Sequence, residues 1–224
     1  MPRKYINLIF FILLIPVTIT ILIFALSAKA YALISILVAF LACIPFFISF
    51  ERKQNSVLIL VITAVMIALS VSGRLVFSLI PHFKPVTAIV IITGIYLGTE
   101  SGFICGAFSA LISNFIFGQG PWTPFQMLAW GLIGFFAACL AAPLKKSRIF
   151  LSIFAALSGA FFSLIMDLWT TLWASGGFAP RLYFSLVAAA LPVTAIYAVS
   201  DVIFLNLLEK PIGKKLNRTI TKYG

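Results

Sequence analysis

Eight long apolar runs divide this chain, and its basic residues collect in every second gap between them. Twelve of the 16 Lys and Arg residues occupy these alternate positions: Arg3, Lys4, Arg52, Lys53, Lys145, Lys146, Arg148, Lys210, Lys214, Lys215, Arg218 and Lys222. The intervening gaps hold only Lys29, Lys84 and Arg181, and Arg74 lies within a run. Backbone polar groups must be satisfied internally in a bilayer, so long apolar runs become helices there. The sequence therefore predicts an all-α polytopic membrane protein.

The side with more basic residues faces the cytoplasm in most membrane proteins. We therefore expect a multi-pass cell-membrane protein with both termini cytoplasmic. A mean hydropathy of +1.17 and 62% hydrophobic residues are too apolar for a soluble domain. The net charge of +11 is accordingly interpreted as a sign of orientation and of contact with the lipid bilayer, and no nucleic-acid partner is predicted.

The runs define a domain plan. They extend over 6–26, 31–50, 56–80, 85–98, 101–118, 124–143, 150–172 and 183–208. Residues 1–55 are predicted to form two N-terminal transmembrane helices, 56–208 a six-helix substrate-binding core, and 209–224 a basic cytoplasmic tail. The first run is longer than the 7 to 15 apolar residues usual for a signal peptide, so we expect a retained helix.

Two ionisable residues lie inside the predicted core. Counted from the outer ends of their helices at about 1.5 Å per residue, Arg74 and Asp167 both lie about 10 Å inside the outer face. Charged groups at such depth usually face a bundle interior, a cavity or each other. The sequence leaves open whether the two form a structural ion pair or line a ligand pocket. Asn114 and Gln126 lie near the same level.

Aromatic and loop residues extend this candidate site. Trp169 and Trp173 share a helix face because they are four residues apart. Gln119 and Trp122 belong to one of three Gly- and Pro-containing outer loops, 81–85, 118–124 and 175–181. Aromatic walls with a few directed polar groups suit a flat organic ligand. The alternative is that these loops only seal helix ends and that the Trp residues anchor the interface. Asp201 and Asn206 are interpreted as caps or interfacial contacts.

Small residues recur at four-residue spacing in two helices, as Ala64, Ala68 and Ser72 and as Gly98, Gly102, Gly106 and Ala110. Such spacing lets helix backbones approach closely in a membrane. We expect the glycine series to pack inside the bundle, whereas the alanine series is a candidate docking surface for another subunit.

Over 56–208 the chain resembles the substrate-binding S components of energy-coupling factor (ECF) vitamin transporters. The resemblance rests on the pattern Ala64-Val-Met-Ile-Ala68, on Gly73-Arg74, on Lys84-Pro85 and on the stretch from Ser113 to Gln126, the most distinctive part. The two helices before residue 56 depart from the six-helix pattern of the family.

The resemblance implies a vitamin-binding membrane subunit that docks through Ala64 and Ala68 on a transmembrane partner, EcfT, coupled to two cytoplasmic ATPases. This fits the absence of a Gly-rich phosphate loop from the sequence. Within the family, the chain is similar to cobalamin-type S components, so cobalamin or another corrinoid is the ligand expected first. A queuosine precursor or another small vitamin is the alternative.

Two further classes remain as alternatives, a non-transport membrane protein and an intramembrane enzyme. Such enzymes need clustered acids and histidines, and this sequence has one His and five acidic residues. The sequence therefore predicts no catalytic residue, no metal and no cofactor.

Overall fold

A computed structural model describes residues 57–223 together with helical positions 37, 39–41, 43, 44, 47 and 48. The first predicted transmembrane helix lies outside the described residues. The described range 57–223 is helical throughout apart from its connections. Its helices are α1 (Val57–Val76), α2 (Val86–Leu97), α3 (Thr99–Phe117), α4 (Thr123–Cys139), α5 (Ala141–Lys146), α6 (Arg148–Ser175) and α7 (Pro180–Tyr223).

These helices confirm the predicted polytopic all-α class. Helices α1, α3, α6 and α7 are long and apolar enough to cross a bilayer, and α2 and α4 are shorter apolar helices. The short α2 corresponds to the predicted run 85–98. A single residue, Gly98, separates α2 from α3 and has φ 98°, a conformation that glycine adopts without strain.

Glycine contacts bring α2, α3 and α4 together. A Cβ at Gly102 would overlap the backbone of Gly134 and of Gly94, and one at Gly106 would overlap the backbone at Trp130. The most extensive helix pairing in the described region is accordingly α3 with α4. Gly102, Gly106 and Ala110 therefore pack inside the bundle, as expected from their spacing, whereas Gly98 at the turn has open space around it.

Helices α6 and α7 form a long antiparallel hairpin. Their pairing is the second most extensive in the described region. The part of α7 before Ser200 is nevertheless little buried. The last helix was predicted to end at 208, whereas α7 continues to Tyr223 through the sequence assigned to a tail. Hydropathy falls after that point, but Lys, Leu and Arg still favour helix, and Pro211 is accommodated within it.

Part of the predicted second transmembrane helix packs against this bundle. Ala39 and Cys43 are buried, and the Phe47 ring lies 6.4 Å from that of Phe103, between centroids. These three positions are four residues apart, so they share one helix face. That face packs on the bundle formed by residues 57–223.

Candidate functional site

A cavity opens among α1, α2, α4, α6 and α7, beneath the connection between α1 and α2. Its empty space is about 490 Å³ when the open mouth is included. The lining residues are Arg74, His82, Lys84, Val86, Thr87, Gln126, Trp130, Gly159, Phe162, Tyr197 and Asp201. Phe162 and Gly159 place this cavity about midway along α6.

Arg74 stands at the centre of a hydrogen-bond network. Its Nη1 donates to Ser113 Oγ and to Asn114 Oδ1, the latter at 2.9 Å. Asn114 Nδ2 in turn donates to Gln126 Oε1 at 2.8 Å and to Thr123 Oγ1 at 2.9 Å. The structure thus brings together three residues that the sequence placed at one level. Their role in ligand binding stays a prediction.

The network continues into the loop before α4. The Thr123 hydroxyl donates to Gln119 Oε1 at 2.9 Å, and Gln119 Nε2 donates to the carbonyl of Leu111 at 2.8 Å. Gln119 therefore fixes this loop to α3 and does not line the cavity.

The cations of the cavity lie over aromatic rings. Arg74 Cζ is 4.9 Å from the centroid of the Phe117 ring and 5.3 Å from that of Trp130. Lys84 Nζ lies 5.2 Å from the same Phe117 centroid. Burial, and then the positive charge of Arg74, lower the pKa of Lys84. On this side of the cavity, Arg74 and Lys84 are therefore two donors from which a ligand carbonyl or hydroxyl oxygen could accept a hydrogen bond.

An aromatic wall faces the cavity. The Trp130 and Phe162 rings are stacked, with centroids 4.6 Å apart and planes 15° from parallel. Tyr197 meets Phe162 edge-on at 5.4 Å between centroids. Trp130 Nε1 is buried and has no hydrogen-bond partner within the part of the chain that the structure describes. A buried donor left unpaired is costly.

Asp201 is the residue that the sequence interpretation missed. It is 2% exposed and lines the cavity, so it is not an interfacial cap. Thr87 hydrogen-bonds its carboxylate, but Oδ2 has no partner in residues 57–223 or the described positions before them. A sequence signal existed: Tyr197, Ser200 and Asp201 stand at i, i+3 and i+4 in an apolar helix, so they share a face.

That face of α7 also holds the connection between α1 and α2. The Tyr197 hydroxyl is 3.0 Å from His82 Nδ1. Ser200 Oγ accepts from the Lys84 N–H at 3.0 Å and donates to the Lys84 carbonyl at 3.2 Å. His82 has φ 60°, a region that non-glycine residues rarely occupy. These bonds to α7 hold the loop over the cavity.

The predicted ion pair between Arg74 and Asp167 does not form. Arg74 is engaged by α3, Asp167 Oδ2 has no partner among the described residues, and Asp167 does not line the cavity. The depth estimate failed because it counted each residue from the end of its own helix. From Phe162, α6 continues about 20 Å to its end, whereas α1 ends two residues after Arg74. Arg74 and Asp167 are similarly far from the ends of their own helices, but they lie at different depths in the bundle because those ends are not level.

The predicted tryptophans form a separate cluster. The Trp169 ring lies 5.5 Å from Phe125 and 5.1 Å from Trp173, between centroids. Trp122 packs against this cluster, which also includes Ala39. Trp169 is buried here, whereas Trp173 is 52% exposed. None of the three tryptophans lines the cavity, so the prediction that they share a site with Arg74 is not supported by the geometry.

The alanine series lies on the surface of the bundle. Ala64, Ala68 and Ser72 are all exposed on one face of α1. Large apolar side chains beside them, such as Val61 and Val65, are exposed too. This face is compatible with a docking surface, and docking stays a prediction.

A polar cavity with an aromatic wall lies inside a bundle whose long helices could cross a membrane, an arrangement that suits a membrane-embedded binder of small molecules. A family model described as "ECF-type riboflavin transporter, S component" matches residues 54–218. The match covers most of the chain, which therefore belongs to this family of transporter subunits, not to a family of enzymes. No curated protein and no solved structure matches the chain in the corresponding comparisons.

Proposed function

We propose that this chain is the substrate-binding subunit of an ECF importer and that its ligand is riboflavin or a closely related flavin. The observation that carries the proposal is the cavity itself. It combines the stacked pair Trp130 and Phe162 with two polar atoms that lack partners, Trp130 Nε1 and Asp201 Oδ2. A bound molecule that satisfies both atoms removes the cost of leaving them buried and unpaired.

The shape of the cavity favours a flavin over the corrinoid expected from the sequence. A corrinoid has a macrocycle around a metal and a nucleotide arm, and it is much larger than the three fused rings of a flavin. The empty space of about 490 Å³ includes the open mouth, so the enclosed part is smaller still, and this favours the smaller of the two ligands. The name of the matching family supports riboflavin independently.

The chemistry of the lining also suits a flavin. The isoalloxazine ring has two carbonyl oxygens on either side of an N–H group, and its ribityl chain adds hydroxyls. Arg74 and Lys84 supply donors for such oxygens, and Asp201 supplies an acceptor for an N–H or O–H group. The aromatic pair offers a flat surface for ring contact.

Transport would depend on partner subunits. The sequence contains no Gly-rich phosphate loop, so nucleotide hydrolysis is assigned to the two ATPase subunits of the transporter. The exposed small-residue face of α1, with Ala64 and Ala68, is our proposed surface for the transmembrane subunit EcfT. Both termini are proposed to lie in the cytoplasm, on the charge distribution alone.

Ligand identity is tested by binding to the purified protein. Gently purified protein is denatured, and any small molecule released is identified by mass and absorbance; calorimetric titration with riboflavin, cobalamin and a queuosine precursor follows. We expect one riboflavin per chain and no binding of the other two compounds. Asp201→Ala should weaken riboflavin binding at least about tenfold, equal to about 1.4 kcal/mol, because it removes the buried acceptor. The matched control, Asp167→Ala, should bind as the wild type does. Saturable binding of cobalamin without binding of riboflavin would refute the flavin assignment.

A further inference from the structure

The last four turns of α7 carry a row of exposed cations. The basic residues of this segment, all of them exposed, are Lys210, Lys214, Lys215, Arg218 and Lys222. A helix turns about 100° per residue, so these five side chains fall within an arc of about 140°. The buried residues of the same segment, Glu209, Gly213 and Leu216, are centred on the opposite side. The segment is therefore an amphipathic helix, and one face carries all five cations together with the exposed Pro211 and Thr221.

Contacts on the buried side fix where this cationic face points. Glu209 accepts from the Tyr96 hydroxyl at 2.6 Å and pairs with Arg148 Nη2 at 2.9 Å. Gly213 lies against the Tyr96 ring, where a Cβ would clash. The segment is thus held against α2 and the start of α6, and it cannot rotate its cations toward the bundle without breaking these contacts.

The cationic face continues a face that lies toward lipid. One helix turn apart, Val199, Ile203 and Leu207 are 54%, 41% and 65% exposed. At about 100° per residue around the helix axis, the side chains of these three residues point into or next to the arc that holds the cations. Along one side of α7, exposed aliphatic side chains therefore give way to exposed cations. This order matches the change from hydrocarbon to headgroups at a bilayer surface.

We infer that the cationic face of α7, residues 210–222, binds the headgroups of anionic phospholipids in the leaflet at this end of the bundle. This goes beyond the proposed function, because it concerns a surface remote from the cavity. The continuity with the aliphatic face favours lipid over a protein partner, since the cations occupy the side on which the same helix already meets the membrane. Each Lys or Arg near an anionic surface strengthens the attraction about fivefold.

The test measures which lipids contact the protein. The full chain is reconstituted in phosphatidylcholine containing a trace of spin-labelled phosphatidylglycerol or spin-labelled phosphatidylcholine. Electron paramagnetic resonance then gives the motionally restricted fraction of each probe. For the wild type at low salt we expect phosphatidylglycerol to be preferred about three- to fivefold. The preference should fall toward unity in 1 M salt, where charges are screened beyond about 3 Å.

Three variants locate the effect. Replacing all five cations by Gln should reduce the preference at least about twofold, while replacing the four lysines by Arg should retain it, because Arg keeps the charge. Arg181→Gln, at the opposite end of α7, should leave the preference unchanged.

The salt dependence of the wild-type protein requires no substitution, so it decides the question even where the Gln variant inserts poorly. Equal restriction of both probes by the wild type would overturn the proposal. So would an unchanged preference in a Gln variant that inserts normally. If that variant instead loses copurification with the other transporter subunits while its lipid preference is unchanged, the face binds a protein and the lipid assignment is wrong.

Discussion

The two halves of this bundle are packed in different ways. Helices α2, α3 and α4 meet backbone to backbone at Gly94, Gly102 and Gly134. The outer half of the α6–α7 hairpin is little buried, and Trp173 and Phe184 there are exposed. The close-packed half positions the Arg74 network, because Ser113, Asn114 and Gln126 all stand on α3 and α4. The hairpin supplies the opposite wall and the bonds to the loop. The cavity lies where these two kinds of packing meet.

The largest effect is expected where the close-packed half is disturbed. Gly134→Val would place side-chain atoms into the backbone of Gly102, so we expect a loss of about 3 kcal/mol or more in the free energy of unfolding. Ala189→Val adds the same side chain at an exposed position of α7 and should change stability by less than about 0.5 kcal/mol. Thermal unfolding in detergent compares the two. Equal losses would show that the halves do not differ in packing as described.

Arg74 and Asp167, which the sequence placed at one depth, should differ in their effects on ligand binding. Arg74→Ala removes the donor to Asn114, leaving a buried acceptor unpaired at a cost of about 1–3 kcal/mol, and it should weaken flavin binding at least about tenfold. Asp167→Ala should alter affinity less than about twofold, because Asp167 lies outside the cavity. Stability and titration are measured for both variants. If both single variants lose affinity for the flavin and the double variant loses no more, Arg74 and Asp167 act as a pair, and the conclusion that only Arg74 belongs to the cavity is wrong.

A smaller effect, on assembly with EcfT, is expected from a change on the exposed small-residue face of α1. Ala64→Arg should reduce copurification with EcfT about fivefold while flavin binding by the isolated chain is retained, because bulk at a close helix contact prevents approach. Ala189→Arg, on the exposed hairpin, is the control and should copurify normally. Normal assembly of the Ala64 variant would remove this face as the docking surface.

The smallest effect tests how the hairpin holds the loop. Tyr197→Phe deletes the hydroxyl that contacts His82 and should lower stability by about 0.5–1.5 kcal/mol, with faster hydrogen exchange in residues 81–85. Tyr183→Phe removes a hydroxyl whose contact to the Leu164 carbonyl is 3.5 Å long, and it should have no measurable effect. Unchanged exchange in the Tyr197 variant would mean that the loop is held by other contacts.

The sequence predicted the fold class well because the bilayer restricts long apolar runs to helices. It also placed Arg74, Asn114 and Gln126 together, since their helices end close to the same level. It failed for Asp167 because the length by which the α6–α7 hairpin extends past α1 depends on tertiary packing. It missed Asp201 for a related reason: the end of α7 was set where hydropathy falls, so Asp201 was taken for an interfacial residue although the helix continues to Tyr223.

The central claim is that a flavin binds against Trp130 in the cavity and not in the tryptophan cluster. Flavin fluorescence is quenched when the ring contacts an indole, so riboflavin is titrated against the wild type and against Trp130→Phe and Trp169→Phe. Trp130→Phe should relieve most of the quenching and weaken binding, because it removes the indole of the aromatic wall and its unpaired N–H. Trp169→Phe should quench and bind as the wild type does. Quenching that survives in the Trp130 variant but disappears in the Trp169 variant would place the ligand in the other cluster and contradict this account.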